Sequence, residues 1–172
     1  MELMDVMLKR RSIRKYCDEE ISRDQLDKIL RAALLAPTSM NRQPCNFMVV
    51  ESKEKLEKLS KSKNHGADLI KGANKAIVVI ANSTLADTWI EDSSIALTYM
   101  HLMATDLGLG SCWVQIHLRD KDGKDSEEIV RDILEIDEYY RIVGILALGV
   151  ADSMLEPHTL DGLDKGKIHF LI

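Results

Sequence analysis

The segment Arg10-Arg11-Ser12-Ile13-Arg14-Lys15 places three guanidinium groups, an ammonium and a hydroxyl within six residues. Planar guanidinium forks and hydroxyls suit a dianionic phosphate, so Arg10, Ser12 and Arg14 are candidate phosphate donors. The plainer reading is that these cations complement the C-terminal end of a preceding helix. A second polar set follows in Ala36-Pro37-Thr38-Ser39-Met40-Asn41-Arg42-Gln43-Pro44. Its two prolines fix their own φ and restrict the residue before them, while Thr38, Ser39, Asn41 and Gln43 carry groups that donate and accept hydrogen bonds. Taken alone, this loop also reads as a helix end and its connector.

Other chemistries find little support. The sequence contains no H-E-x-x-H, G-x-S-x-G, G-x-G-x-x-G or G-x-x-x-x-G-K-[ST]. His65, His101, His117, His158 and His169 are scattered, and Cys17, Cys45 and Cys112 form no C-x-x-C pair, so neither a metal site nor a disulfide framework is expected. His101 and Met100 read as core residues. Glu91 and Asp92 are neighbours on a predicted helix, point to different sides, and read as solubilising charges.

The elements that must position these groups follow from periodicity. Leu3, Val6, Met7 and Arg10 at helical spacing predict a short first helix that delivers the basic cluster. Ser22 with Gln25 makes a capping box, and Leu26, Ile29, Leu30, Ala33 and Leu34 continue the apolar stripe until Pro37 ends it. Residues 46–51 read as a strand, 53–61 as an exposed helix, 69–73 as a short helix, and 76–81 as a strand buried on both faces. Residues 87–107 form the longest predicted helix, apolar nearly all round between Ile95 and Ala104, which predicts burial against a second subunit. Gly108 and Gly110 stop it and introduce a strand over 111–116. Ser126 is the expected cap of a helix over 127–134, 140–150 reads as a second buried strand, and 165–170 as an edge strand or a segment that wraps a partner chain.

At 172 residues, with 45% hydrophobic residues, the chain fits one domain spanning 1–172. A formal net charge of -5 argues against general nucleic-acid binding. The acidic start and the lack of a long apolar run predict no signal peptide and no membrane span, and odd, unpaired cysteines fit a reducing cytoplasm. Helices and strands mix without strict alternation, so an α+β class is expected.

The R-R-S-x-R segment, the A-P-T/S-x-x-N-x-Q-P loop, Gly108-Leu109-Gly110-Ser111-Cys112-Trp113 and Ala147-Leu148-Gly149 together resemble the nitroreductase family of FMN-dependent oxidoreductases, over nearly the whole chain. The resemblance implies an FMN-binding α+β fold with a central, mainly antiparallel β-sheet flanked by helices, in an intertwined homodimer with FMN at the subunit interface. It implies that Arg10, Ser12 and Arg14 hold the FMN phosphate, with Arg11 close by and Lys167 as a late basic contact. Pro37, Thr38, Ser39 and Asn41 would lie along the flavin from the opposite subunit, with Gln43 supporting the loop. Backbone donors of Trp113, Val114 and Gln115 would address the ring edge near N5. Cys45 stands where many relatives have tryptophan, and Ile116 where some have glycine. No catalytic side chain is expected, because the flavin carries the chemistry. NAD(P)H would reduce it, and a nitroaromatic, quinone or similar acceptor would reoxidise it by a ping-pong mechanism. Two alternatives stand beside this: the same fold with reductive dehalogenation or flavin fragmentation, and a non-enzymatic module docking a phosphorylated partner.

Overall fold

The computed structural model describes residues 2–171. Helix α1 (Leu3–Lys9) is followed by α2 (Arg23–Leu34), where the predicted capping box is present in both directions. Gln25 N donates to Ser22 Oγ at 3.2 Å and Ser22 N donates to Gln25 Oε1 at 3.0 Å. Strand β1 (Cys45–Val50) leads into α3 (Lys53–Leu59), a 3₁₀ turn (Asp68–Gly72) and β2 (Lys75–Asn82). Helix α4 (Trp89–Asp106) turns at Gly108, whose φ of 74° is left-handed, into β3 (Gly110–Gln115). A small hairpin of β4 (Asp120–Lys121) and β5 (Lys124–Asp125) precedes α5 (Ser126–Leu134) and the long β6 (Tyr140–Gly149).

Among the described residues the main sheet has four strands in the order β1-β2-β6-β3, every neighbour antiparallel. The two central strands are those that the sequence marks as continuous apolar runs, because helices cover both of their faces. One face packs Val78, Ile80, Ile142 and Ile145 against Leu56 and Leu59 of α3 and Val130 and Leu134 of α5. The other packs Ile77, Val79, Val143 and Leu146 against Leu26 and Ile29 of α2 and Leu97 and Met100 of α4. Ile142 and Ile145 share a face although three apart, because the β2/β6 register slips between Val79 and Ile80.

Three expectations are corrected. Ser126 is the first helical residue of α5, not its cap; Asp125 caps, with Oδ1 accepting from Glu127 N at 2.7 Å, while the Ser126 hydroxyl donates inward to Ser62 O at 2.8 Å. Residues 165–170 form no edge strand: Lys165–Lys167 is a 3₁₀ turn, and the segment is exposed. Asp92 is not a solvated charge but a buried one, 2% exposed. Helix α4 buries Ala96, Leu97, Met100 and Ala104, while Tyr99 stays 39% exposed, so its apolar girdle is covered only in part.

Candidate functional site

The basic cluster sits where α1 ends and the chain runs beside β3. Ser12 forms a parallel bridge with Ser111, and Ile13 N donates to Ser111 O at 2.9 Å, which stitches the cluster to the free edge of the sheet. Arg10 NH1 lies 3.3 Å from His101 Nε2 on α4, and His101 Nδ1 makes a short contact with Ser111 Oγ. Arg14 folds back so that NH1 donates to Ser12 O at 3.1 Å. Arg11 takes another direction and donates to the Glu156 carbonyl of the C-terminal segment. Among the described residues no carboxylate pairs with Arg10, Arg11 or Arg14. Burial pushes the Cys112 thiol up, against the opposing pull of Arg14, of a hydrogen bond from Ser12, and of Lys63 and Arg10.

Lys63 is a member of this group that sequence reasoning did not single out. Its Nζ donates to Gln115 O at 2.9 Å, and burial, with Arg119 nearby, lowers its pKa. Lys63 lies beyond the end of α3, and only the tertiary fold reveals that it reaches β3. The Gln115 side chain is held at both ends: Trp113 Nε1 donates to its Oε1 at 3.0 Å, and its Nε2 donates to His117 O at 3.1 Å. Trp113 packs over Gly144, where a Cβ would stand 2.6 Å from Nε1. Val114, 1% exposed, faces the core, so only its backbone is on offer to a ligand.

Beyond Gln115 the chain is anchored by a charge cluster around the buried Glu127. Glu127 of α5 accepts from Arg141 Nε and NH2, both at 2.9 Å, and from Ile142 N at 2.9 Å, and its Oε1 lies 2.6 Å from His117 Nδ1. Arg141 stacks 4.7 Å over the Trp89 ring, and Trp89 meets the His117 ring edge-on at 5.0 Å. The Glu127 carboxyl is held below its usual range: burial pushes it up, and the bonds from Arg141 and His117 outweigh that.

The proline-bracketed loop is a built structure at the start of β1. Met40, Asn41 and Gln43 hold φ of 51°, 54° and 47°, left-handed values that non-glycine residues adopt at a cost of roughly 1–3 kcal/mol each. Compensation comes from Asp92, whose Oδ1 accepts from Ser39 N at 3.0 Å while Oδ2 accepts from Thr88 Oγ1 at 3.2 Å. Within the loop, Gln43 N donates to Thr38 Oγ1 at 3.1 Å and Gln43 Nε2 to Asn41 Oδ1 at 3.2 Å. Gln43 thus supports the loop from inside. Behind it lies a cavity of about 190 Å³ lined by Thr38, Gln43, Cys45, Phe47, Asp92 and Ala96. Cys45 contributes a thiol facing Ser93 Oγ at 3.4 Å, its pKa raised by burial. Asp92→Ala is expected to lose about 1–3 kcal/mol, the cost of removing a carboxylate that accepts two hydrogen bonds from half-buried donors, and to open residues 38–43 to protease. Asp92→Asn, which keeps Oδ1, should retain most of both. Urea unfolding with limited proteolysis checks this, and an alanine variant as resistant as the parent would refute the tether.

The structure therefore brings Arg10, Ser12, Arg14 and Lys63 to β3, beside Trp113 and Gln115. It does not bring the loop there. The loop enters β1 at the opposite edge of the sheet, three inter-strand steps away, about 14 Å at ~4.8 Å per step. Lys167 lies on the exposed C-terminal segment, 3.9 Å from Asp164, and makes no contact with the cluster among the described residues.

A helix-covered antiparallel sheet with a cluster of cations along one edge strand and a rigid polar loop at the other belongs to the α+β class, and known proteins specify it further. The structure of an FMN-dependent nitroreductase from Clostridium difficile superposes with a TM-score of 0.95 at 42% identity, covering 97% of this chain and 98% of that one. A nitroreductase family model matches residues 7–69 and 60–150. A putative NADH dehydrogenase/NAD(P)H nitroreductase of Methanothermobacter thermautotrophicus is 34% identical over 98% of this chain and 86% of its own. One of Archaeoglobus fulgidus is 37% identical over 86% and 84%. The chain belongs to the nitroreductase family.

Proposed function

We propose that this protein is an FMN-dependent oxidoreductase that takes hydride from NAD(P)H and delivers it to a small acceptor such as a nitroaromatic or a quinone. The observation that carries this reading is the set of Arg10, Ser12 and Arg14 along the edge strand β3, cationic and, among the described residues, without carboxylate partners. Such a donor set fits a phosphate monoester. Two guanidinium forks and a hydroxyl match its charge and its acceptor oxygens, and among the described residues no acid must be displaced to admit it. The FMN-dependent relative from Clostridium difficile supports the same cofactor.

FMN, when bound, supplies a ring atom that accepts hydride and returns it. The chain's part is to bind and orient. Arg10, Ser12 and Arg14 would hold the phosphate, and Arg11 would join them only by leaving the Glu156 carbonyl. The backbone of Trp113, Val114 and Gln115 would face the ring edge, with Gln115 pinned by Trp113 and His117 and with Lys63 adding a positive charge beside it. Preorganised donors and cations at that position favour the added negative charge of a reduced ring. Donor nucleotide and acceptor use one space in turn, which gives ping-pong kinetics. The free cysteines fit the reducing cytoplasm.

The site is completed by a second copy. Pro37, Thr38, Ser39, Asn41 and Gln43 stand at the far edge of their own sheet and reach a flavin only across a subunit interface. Leu3, Met4 and Met7 of α1, Tyr99 of α4, and Ile168 and Phe170 of the C-terminal segment are exposed apolar surface for that interface, with Lys167 carried along the same segment. The protein is thus one domain per chain in a homodimer. Sedimentation with flavin quantitation after denaturation tests this. A dimer releasing one FMN per chain is expected; a monomer, or a chain that takes up no FMN, would refute it.

A further inference from the structure

We propose that His101 is a positioning residue that fixes the Arg10 guanidinium for a phosphate by accepting its hydrogen bond without cancelling its charge. This rests on the phosphate reading above. An arginine side chain has donors only, so at 3.3 Å His101 Nε2 must present its lone pair to Arg10 NH1. The proton of the neutral imidazole then lies on Nδ1 and is donated to Ser111 Oγ. The tautomer is set by its two neighbours. An imidazolium would turn an N–H toward a guanidinium N–H, and burial together with the Arg10 charge lowers the His101 pKa to about 4.

The identity of the residue matters because of what it avoids. A carboxylate in its place would hold Arg10 equally well but would neutralise the charge offered to the ligand. A leucine would leave the guanidinium free among many rotamers. His101 lies on the long, well-packed α4, 6% exposed, and so provides a rigid point of reference. Ser111 ties the arrangement together: its side chain holds His101, and its backbone bridges Ser12 and accepts from Ile13 N. Two candidate phosphate donors, Arg10 and Ser12, are thereby registered to one residue of β3.

The test compares the affinities of the full chain, stripped of flavin, for FMN and for riboflavin, which lacks the phosphate. The ratio of the two dissociation constants isolates the phosphate contacts. In His101→Leu the preference for FMN should fall by roughly tenfold or more, as expected for loss of an oriented charged hydrogen bond, with riboflavin affinity unchanged. His101→Gln, which can both accept and donate, should restore most of the preference, and His101→Glu should lower it. A preference kept in a folded His101→Leu variant would overturn the proposal. If that variant fails to fold, equal preferences in the Gln and Glu variants would overturn it. A parent chain that does not distinguish FMN from riboflavin would instead refute the phosphate reading itself.

Discussion

Replacing Arg10 and Arg14 together with alanine will weaken FMN binding by more than roughly 100-fold while leaving the protein folded and dimeric. Each guanidinium contributes charge-assisted bonds to the phosphate, worth about 1.5–3 kcal/mol apiece, so their joint loss removes at least about 3 kcal/mol, and every 1.4 kcal/mol is tenfold. The fold should survive because neither residue carries core packing: Arg14 is exposed, and Arg10 makes its one described side-chain bond to His101. Unlike FMN, riboflavin should bind the variant nearly as it binds the parent. Fluorescence titration measures both. FMN retained at parental affinity would mean that the phosphate sits elsewhere.

Glu127→Ala is expected to cost about 1–3 kcal/mol of stability, because it leaves the buried Ile142 N–H without its acceptor and takes the carboxylate from Arg141, whose side chain is 38% exposed. Arg141 loses both of its bonds to the carboxylate, His117 loses its partner, and Ile142 N is left unsatisfied. The effect extends to the site, since His117 O is one of the two anchors of the Gln115 side chain. Urea unfolding provides the measurement, and a loss under about 1 kcal/mol would contradict it. The pH dependence has a fixed sign. The folded pKa of Glu127 is depressed, so its contribution is complete above the ordinary glutamate value of about 4.3 and is lost as pH falls from there through the folded value. The parent should therefore lose stability in that acid range more steeply than Glu127→Gln does.

The arginine cluster, the rigid loop and the buried strands were all legible because each rests on local signals. Guanidinium density, bracketing prolines and uninterrupted apolar runs survive without tertiary context, and so does the Ser22–Gln25 box. The residues that sequence reasoning missed act across the fold. Asp92 looks like one more acid on a helix until α4 packs behind the loop and aligns it with Ser39 N, 53 positions away. Lys63 belongs to a lysine-rich stretch and differs from its neighbours only in reaching Gln115. His101 was read correctly as a core residue, but its two polar partners come from the basic cluster and from β3, which no spacing rule connects. The opposite failure occurred at Ser126, where two adjacent residues can each cap and the backbone chooses Asp125. The C-terminal segment was expected to form a strand or to wrap a partner. Among the described residues the segment pairs with no strand, and the exposed Ile168 and Phe170 are left for a second subunit in the proposed dimer.

The central claim, that the site delivers hydride from a nicotinamide to bound flavin, is tested most directly by the visible spectrum of the purified protein under anaerobic conditions, before and after addition of NADH and then NADPH. A yellow protein is expected, whose flavin band bleaches with at least one of the two nucleotides and returns when a quinone or nitroaromatic is added. A protein that stays colourless after incubation with FMN, or a flavin band that neither nucleotide bleaches, would contradict it.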